Sequence, residues 1–74
     1  MGLMSHTVVA ELVAAVMRVE VVVGQRVTAE DPVVLLESMK MEIPMLAERG
    51  GTVTAIKVTV GDVVQDGDVL VVLD

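Results

Sequence analysis

Glu37-Ser38-Met39-Lys40-Met41-Glu42 stands near the middle of the 74-residue chain, one lysine held between two methionines and bracketed by glutamates. Valine-rich or apolar runs lie on both sides. Val33–Leu36 before it reads as a strand, and Ile43–Ala47 after it as a second extended run. Two such runs joined by so short a polar segment predict a hairpin. Lys40 then sits at the tip, ammonium outward, with Met39 and Met41 turning back towards the body.

The rest of the chain has the same texture. Met1–His6 has no period and reads as a flexible leader, with Met4 a candidate start and residues 7–74 a single domain. His6 is a lone histidine without cysteine or a second histidine near it, so a tail residue explains it better than a ligand. Thr7–Glu11 predicts a first strand. Over Ala15–Val23 the residues Met17, Val19, Val21 and Val23 alternate with Arg18, Glu20 and Val22, the period of a half-buried strand. Gly24-Gln25-Arg26 turns the chain and Val27 plugs the core. Glu30-Asp31 turns it again, and Pro32 opens a strand where its missing N–H is tolerated. Pro44 asks for an edge position or a bend. Past the loop Glu48–Gly51, the stretch Thr52–Val60 alternates once more, Thr54, Ile56, Val58 and Val60 opposite Ala55, Lys57 and Thr59. Gly61-Asp62 turns, Val64 plugs, Asp66-Gly67-Asp68 turns, and Val69–Leu73 closes the chain.

Composition narrows the function classes. Eleven acids against five Lys and Arg give a net charge of −6, the wrong sign for nucleic acid or an anionic membrane. There is no cysteine, hence no disulfide framework. The longest wholly apolar run, Leu12–Met17, is far short of the roughly 18 residues of a membrane helix. The expectation is a soluble, cytoplasmic monomer. Nineteen valines and no aromatic residue fit a thin all-β core of mid-sized aliphatics. The turn acids Glu30, Asp31, Asp62, Asp66 and Asp68 lack the spacing of a calcium loop and read as solvated turn residues, so no metal site is expected. No catalytic triad or phosphate loop is present, and no catalytic residue is assigned.

The second half repeats the first. A shift of 37 lays residues 8–37 on 45–74 without a gap, and ten of the thirty pairs are identical, among them Val16/Val53, Gly24/Gly61, Val27/Val64, Asp31/Asp68 and Leu36/Leu73. Two copies are too few for a solenoid. They predict two four-stranded sheets, one from each four-strand copy, related by a pseudo-two-fold axis and closing a core together. The expected fold is therefore all-β, a flattened eight-stranded barrel-sandwich hybrid. The hairpin linking the halves would lie on the axis at one end, and the termini at the other.

Glu37–Glu42 at the junction of a valine-rich repeat closely resembles the biotinyl domain, the biotin carboxyl carrier family. The resemblance runs from about Val8 to the last strand and extends to Gly24-x-x-Val27, Gly61-Asp62-x-Val64, Ala47 with Gly51-Thr52-Val53, and 34 residues after the lysine. It departs at Ser38, where the family most often has alanine. It departs again at Glu11–Ala15, where proline and glycine are common, and the gapless halves leave no room for the protruding loop of some acetyl-CoA carboxylase carriers.

The resemblance implies that Lys40 is acylated with biotin by a biotin protein ligase. It implies that Met39 and Met41 are read as flanks, with weaker contributions from Ser38, Glu37 and Glu42. The partners implied are that ligase, a biotin carboxylase and a carboxyltransferase, between which the biotin arm would swing carrying carboxylate. Methionine alone is a general gap-filler, and a lone turn lysine is usually only polar. Together, at the midpoint of a repeat, they carry the reading. Two alternatives stay open. A lipoyl carrier also acylates a hairpin lysine, but usually has aspartate before it and alanine after it. An unmodified adaptor barrel would need no lysine there.

Overall fold

The computed structural model describes residues 5–74, as eight strands and no helix. They are β1 (His6–Val9), β2 (Ala14–Val19), β3 (Arg26–Val27), β4 (Pro32–Ser38), β5 (Met41–Leu46), β6 (Gly51–Ile56), β7 (Val63–Val64) and β8 (Val69–Leu73). Of the leader expected over residues 1–6, positions 1–4 lie outside the described residues, and His6 is the first residue of β1. The two valine plugs, Val27 and Val64, each sit in a two-residue strand and are buried.

All pairings are antiparallel, in two sheets of order β1-β8-β6-β3 and β5-β4-β2-β7. The shift of 37 carries one order onto the other strand for strand, so the pseudo-two-fold relation holds. The sheets do not each come from one half, however. Every sheet takes two strands from each half: β1 and β3 join β6 and β8, while β5 and β7 join β2 and β4. The symmetry also moves the axis. It carries the β4–β5 pair onto β8–β1, with Leu36↔Ile43 answering Leu73↔His6. The linking hairpin and the Leu73↔His6 end of the β8–β1 pair are therefore mates of one another, and the axis passes between them rather than through the hairpin.

The strands are bent by bulges at equivalent places. In β2 the register shifts between Val16 and Arg18, and in β6 between Val53 and Ala55. An extra residue in a strand reverses the inward face beyond it. Ala14 and Val16 thus point inward before the bulge, and Val19 and Val21 after it. This corrects the simple alternation. Thr54 faces out, its hydroxyl donating to the Val72 carbonyl at 3.2 Å. Val23 and Val60, expected inside, are exposed beside the glycines that turn the chain. Those glycines, Gly24 and Gly61, have φ of 95° and 98°, a backbone region that a Cβ disfavours.

The core is built of symmetric pairs: Leu36 and Leu73, Val34 and Val71, Val16 and Val53, none more than 2% exposed. Pro44 lies on β5, the outer strand of its sheet. Counting from the closing pair Ser38↔Met41, Leu35↔Pro44 is a non-hydrogen-bonded pair. The N–H that proline lacks would have faced the free edge, so the ladder loses nothing and the edge is less able to recruit another strand.

The turns are closed by their own acids. Thr28 N–H donates to Asp31 Oδ2 at 2.9 Å, and its mate Gln65 N–H to Asp68 Oδ2 at 2.8 Å. Asp62 does the same for Thr59 N–H at 2.8 Å. These carboxylates are therefore tied to their own backbone rather than simply solvated. Because the two turns are mates, Asp31→Ala and Asp68→Ala should destabilise alike, by roughly 0.5–1.5 kcal/mol each, the usual net worth of such a hydrogen bond. Urea unfolding of both variants checks this, and a clear inequality would show that the halves do not contribute equally.

Candidate functional site

β4 is the anchored strand of the site. It runs between β5 and β2, and Val33, Val34 and Leu36 along it are fully buried. β5 returns from it in register, ending on Ser38↔Met41. Only Met39 and Lys40 lie beyond that pair, so they form a two-residue hairpin loop. Their φ angles are 52° and 65°. Positive φ at both central positions is the pattern of a type I′ turn, whose twist matches that of the strands it joins. Asn-Gly is the pair such a turn prefers. Here two long side chains occupy it, each held where an L-residue costs roughly 1–2 kcal/mol. Glu48 is the other non-glycine residue at positive φ among the described residues, at 70°; at the tip the strain coincides with a departure from ordinary hairpin chemistry.

The tip protrudes. Lys40 is exposed and, among the described residues, makes no ion pair. Met39 is 92% exposed and Met41 63%. The expectation that both methionines turn back towards the body is therefore corrected. Met39 is in the loop itself, beyond the last strand pair, where no other element is available to cover it. Ser38 is half-buried. Glu37 and Glu42 face each other directly across β4 and β5, both exposed. Like charges opposite one another weaken a strand pair, so they are not there for the hairpin's stability. All six residues singled out from the sequence thus fall within one turn and its two closing pairs.

The remaining polar groups lie elsewhere. Lys57 sits just past the end of β6, not within a strand as expected, and its N–H donates to the Leu70 carbonyl at 2.8 Å. A shallow groove of about 290 Å³ runs along Lys57, Asp62, Val64 and Asp68; Lys40 does not line it. His6 Nε2 is 3.8 Å from a Glu48 carboxylate oxygen, a long-range contact with no local signal. The chemistry available at the tip is that of a primary amine on a four-carbon stem. It can be acylated through Nζ, and among the described residues no ion-pair partner has to be displaced first.

A family model described as "Biotin-requiring enzyme" matches residues 4–73. The chain belongs to the biotin/lipoyl attachment family. It is 50% identical over 70 residues to a "Biotinylated protein TB7.3 homolog" of Mycobacterium leprae, covering 95% of this chain and 99% of that one. It is 42% identical over 67 residues to a "Biotin/lipoyl attachment protein" of Bacillus subtilis, covering 90% and 92%. Among solved structures it resembles the Kluyveromyces lactis urea carboxylase, with a TM-score of 0.89 and 30% identity. That match covers 95% of this chain and 6% of the much longer carboxylase. The family's barrel-sandwich architecture is the one described above.

If the Met-Lys pair is what strains the turn, relieving it should stabilise the fold. Met39→Asn combined with Lys40→Gly is expected to raise the unfolding free energy by about 1–2 kcal/mol, since that pair suits positive φ. Thermal or urea unfolding checks it; unchanged or lowered stability would mean that the turn is unstrained as it stands.

Proposed function

We propose that this chain is a biotin carboxyl carrier, with residues 7–74 as a single attachment domain and Lys40 as the attachment residue. It takes biotin in amide linkage from a biotin protein ligase and serves a biotin carboxylase and a carboxyltransferase, working as a cytoplasmic monomer. The observation that carries this reading is the free amine of Lys40 at the strained tip, flanked by exposed Met39 and Met41. Support comes from the family match and from the biotinylated relative that is nearly the same length.

The protein's own contribution is presentation. Attack needs the neutral amine, and the ligase supplies the surroundings that remove the proton. Lys40 Nζ then bonds to the acyl carbon of biotinyl-AMP, and AMP leaves. The hairpin fixes where that amine stands, so the ligase meets one geometry rather than an ensemble. Met39 and Met41 offer apolar flanks; Glu37 and Glu42 offer a local negative charge that distinguishes this turn. When attached, biotin supplies a ring nitrogen that accepts and releases carboxylate. The long Lys40 stem and its cargo make a tether, which raises the local concentration of that nitrogen at both partner sites. The domain needs no catalytic group for this.

A lipoyl carrier is the second reading, and the Bacillus relative's printed name embraces both groups. Methionine on each side of Lys40, where lipoyl domains usually have aspartate and alanine, favours biotin. Intact mass after incubation with a biotin protein ligase, ATP and biotin should rise by one biotinyl group, mapped to the Lys40 peptide. Lys40→Arg should abolish the gain and leave unfolding unchanged. A gain with lipoate ligase and lipoate instead would move the chain to the lipoyl group, and label on Lys57 would overturn the site.

A further inference from the structure

Four methionines lie among the described residues, and the fold treats them in two ways. Met17 and Met45 are half-buried; Met45 packs against the core, and Met17 sits at the β2 bulge. Met39 and Met41 stand free on either side of Lys40, Met39 with 92% of its surface exposed and Met41 with 63%. The type I′ geometry is what keeps Met39 out: with positive φ at both tip residues and only two residues in the loop, its side chain has no neighbouring element to fold onto.

Thioether oxidation follows exposure, because an oxidant must reach the sulfur lone pair, and it turns an apolar side chain into a polar one. We infer that Met39, with Met41 second, is a reversible oxidation site, and that its oxidation state gates acylation of Lys40. The oxidant class is a peroxide. The sulfur lone pair attacks one peroxide oxygen, the O–O bond breaks, and an S–O bond forms. The proton on the transferred oxygen passes to the departing hydroxide, which leaves as water. Sulfur is oxidised by two electrons and the peroxide is reduced by two.

The gate rests on the reading of Lys40 as the ligase's target. A ligase that packs against apolar flanks would have to bury the sulfoxide oxygen without a partner, and an unpaired buried acceptor is costly. The hairpin itself is indifferent, since neither sulfur contributes to the core. Oxidation therefore leaves the fold intact and changes only what the partner meets. A methionine sulfoxide reductase would reverse it.

The test uses the unmodified full chain treated with dilute hydrogen peroxide over a time course. Peptide mapping by mass follows the gain of one oxygen at each methionine, and the same samples are then offered to a biotin protein ligase with ATP and biotin. The expected result is that Met39 oxidises first and Met41 next, well ahead of Met17 and Met45. The initial labelling rate of the oxidised chain should fall about tenfold or more, the scale of a buried acceptor left unpaired. Treatment with methionine sulfoxide reductase and a thiol should restore it, while the unfolding midpoint stays unchanged throughout. Equal oxidation at Met17 and Met45, or an unaltered labelling rate after complete oxidation of Met39 and Met41, would overturn the inference. The oxidation map is read without the ligase, so failure of the untreated chain to label would count against the function of Lys40 and the gate, while the order of oxidation would still decide the site.

Discussion

Four of the backbone hydrogen bonds between the two halves of the chain tie each half's glycine turn to the other half's bulged strand, and the rest of the structure depends on that lock. Gly24 N–H donates to the Val53 carbonyl and Val53 N–H to that of Gln25, both at 2.8 Å. Their mates run from Gly61 N–H to Val16 at 2.9 Å and from Val16 N–H to Asp62 at 2.8 Å. Each half's glycine turn thus grips the other half's long strand at the residue where that strand bulges. With two strands of every sheet borrowed from the opposite half, a single half has neither a complete sheet nor a second face to cover its valines. A small domain with no aromatic residue and no disulfide gains its cooperativity from this mutual dependence.

The lock also explains what could and could not be read from the sequence. The repeat of 37 was legible because it shows in side chains that both copies need: Val16 and Val53 in the core, Gly24 and Gly61 in the turns, Asp31 and Asp68 on their own backbone. Six of the eight strands and the edge position of Pro44 followed from local signals as well, while β3 and β7 read only as the plugs Val27 and Val64. The bulges at Met17 and Thr54 did not. They sit where turns arrive from the far half, and no local alternation records them, which is why Thr54 was expected on the inward face and stands outside. The exchange of strands between halves was hidden for the same reason, since pairing is a long-range property and the repeat specifies only that two equivalent units exist.

At the site, the residues were legible and the geometry was not. A lysine between two methionines identifies the tip on chemical grounds alone. That Met39 projects into solvent depends on the loop having two residues rather than three or four, and this is fixed by the Ser38↔Met41 register. Register in turn follows from the packing of Ile43 and Met45 on β5 against the core, because a slip of one residue would turn them outward. The orientation of the lysine is thus decided several residues away from it, in the core.

This division of labour gives the strained turn its physical meaning. A flexible loop could carry a lysine at less cost, but it would present the amine in many orientations, and a partner would lose binding free energy in selecting one. Holding Met39 and Lys40 at positive φ takes free energy from the fold, roughly 1–2 kcal/mol per residue on general grounds. The expense is bearable only because β4 beneath the turn is anchored by side chains with no exposed surface. The symmetric mate of this hairpin is the His6↔Leu73 end of the β1–β8 pair, so the same scaffold offers two equivalent corners. At the β4–β5 corner the Ser38↔Met41 pair leaves room for two residues alone, and Lys40 is one of them, held rigid by the register beneath it.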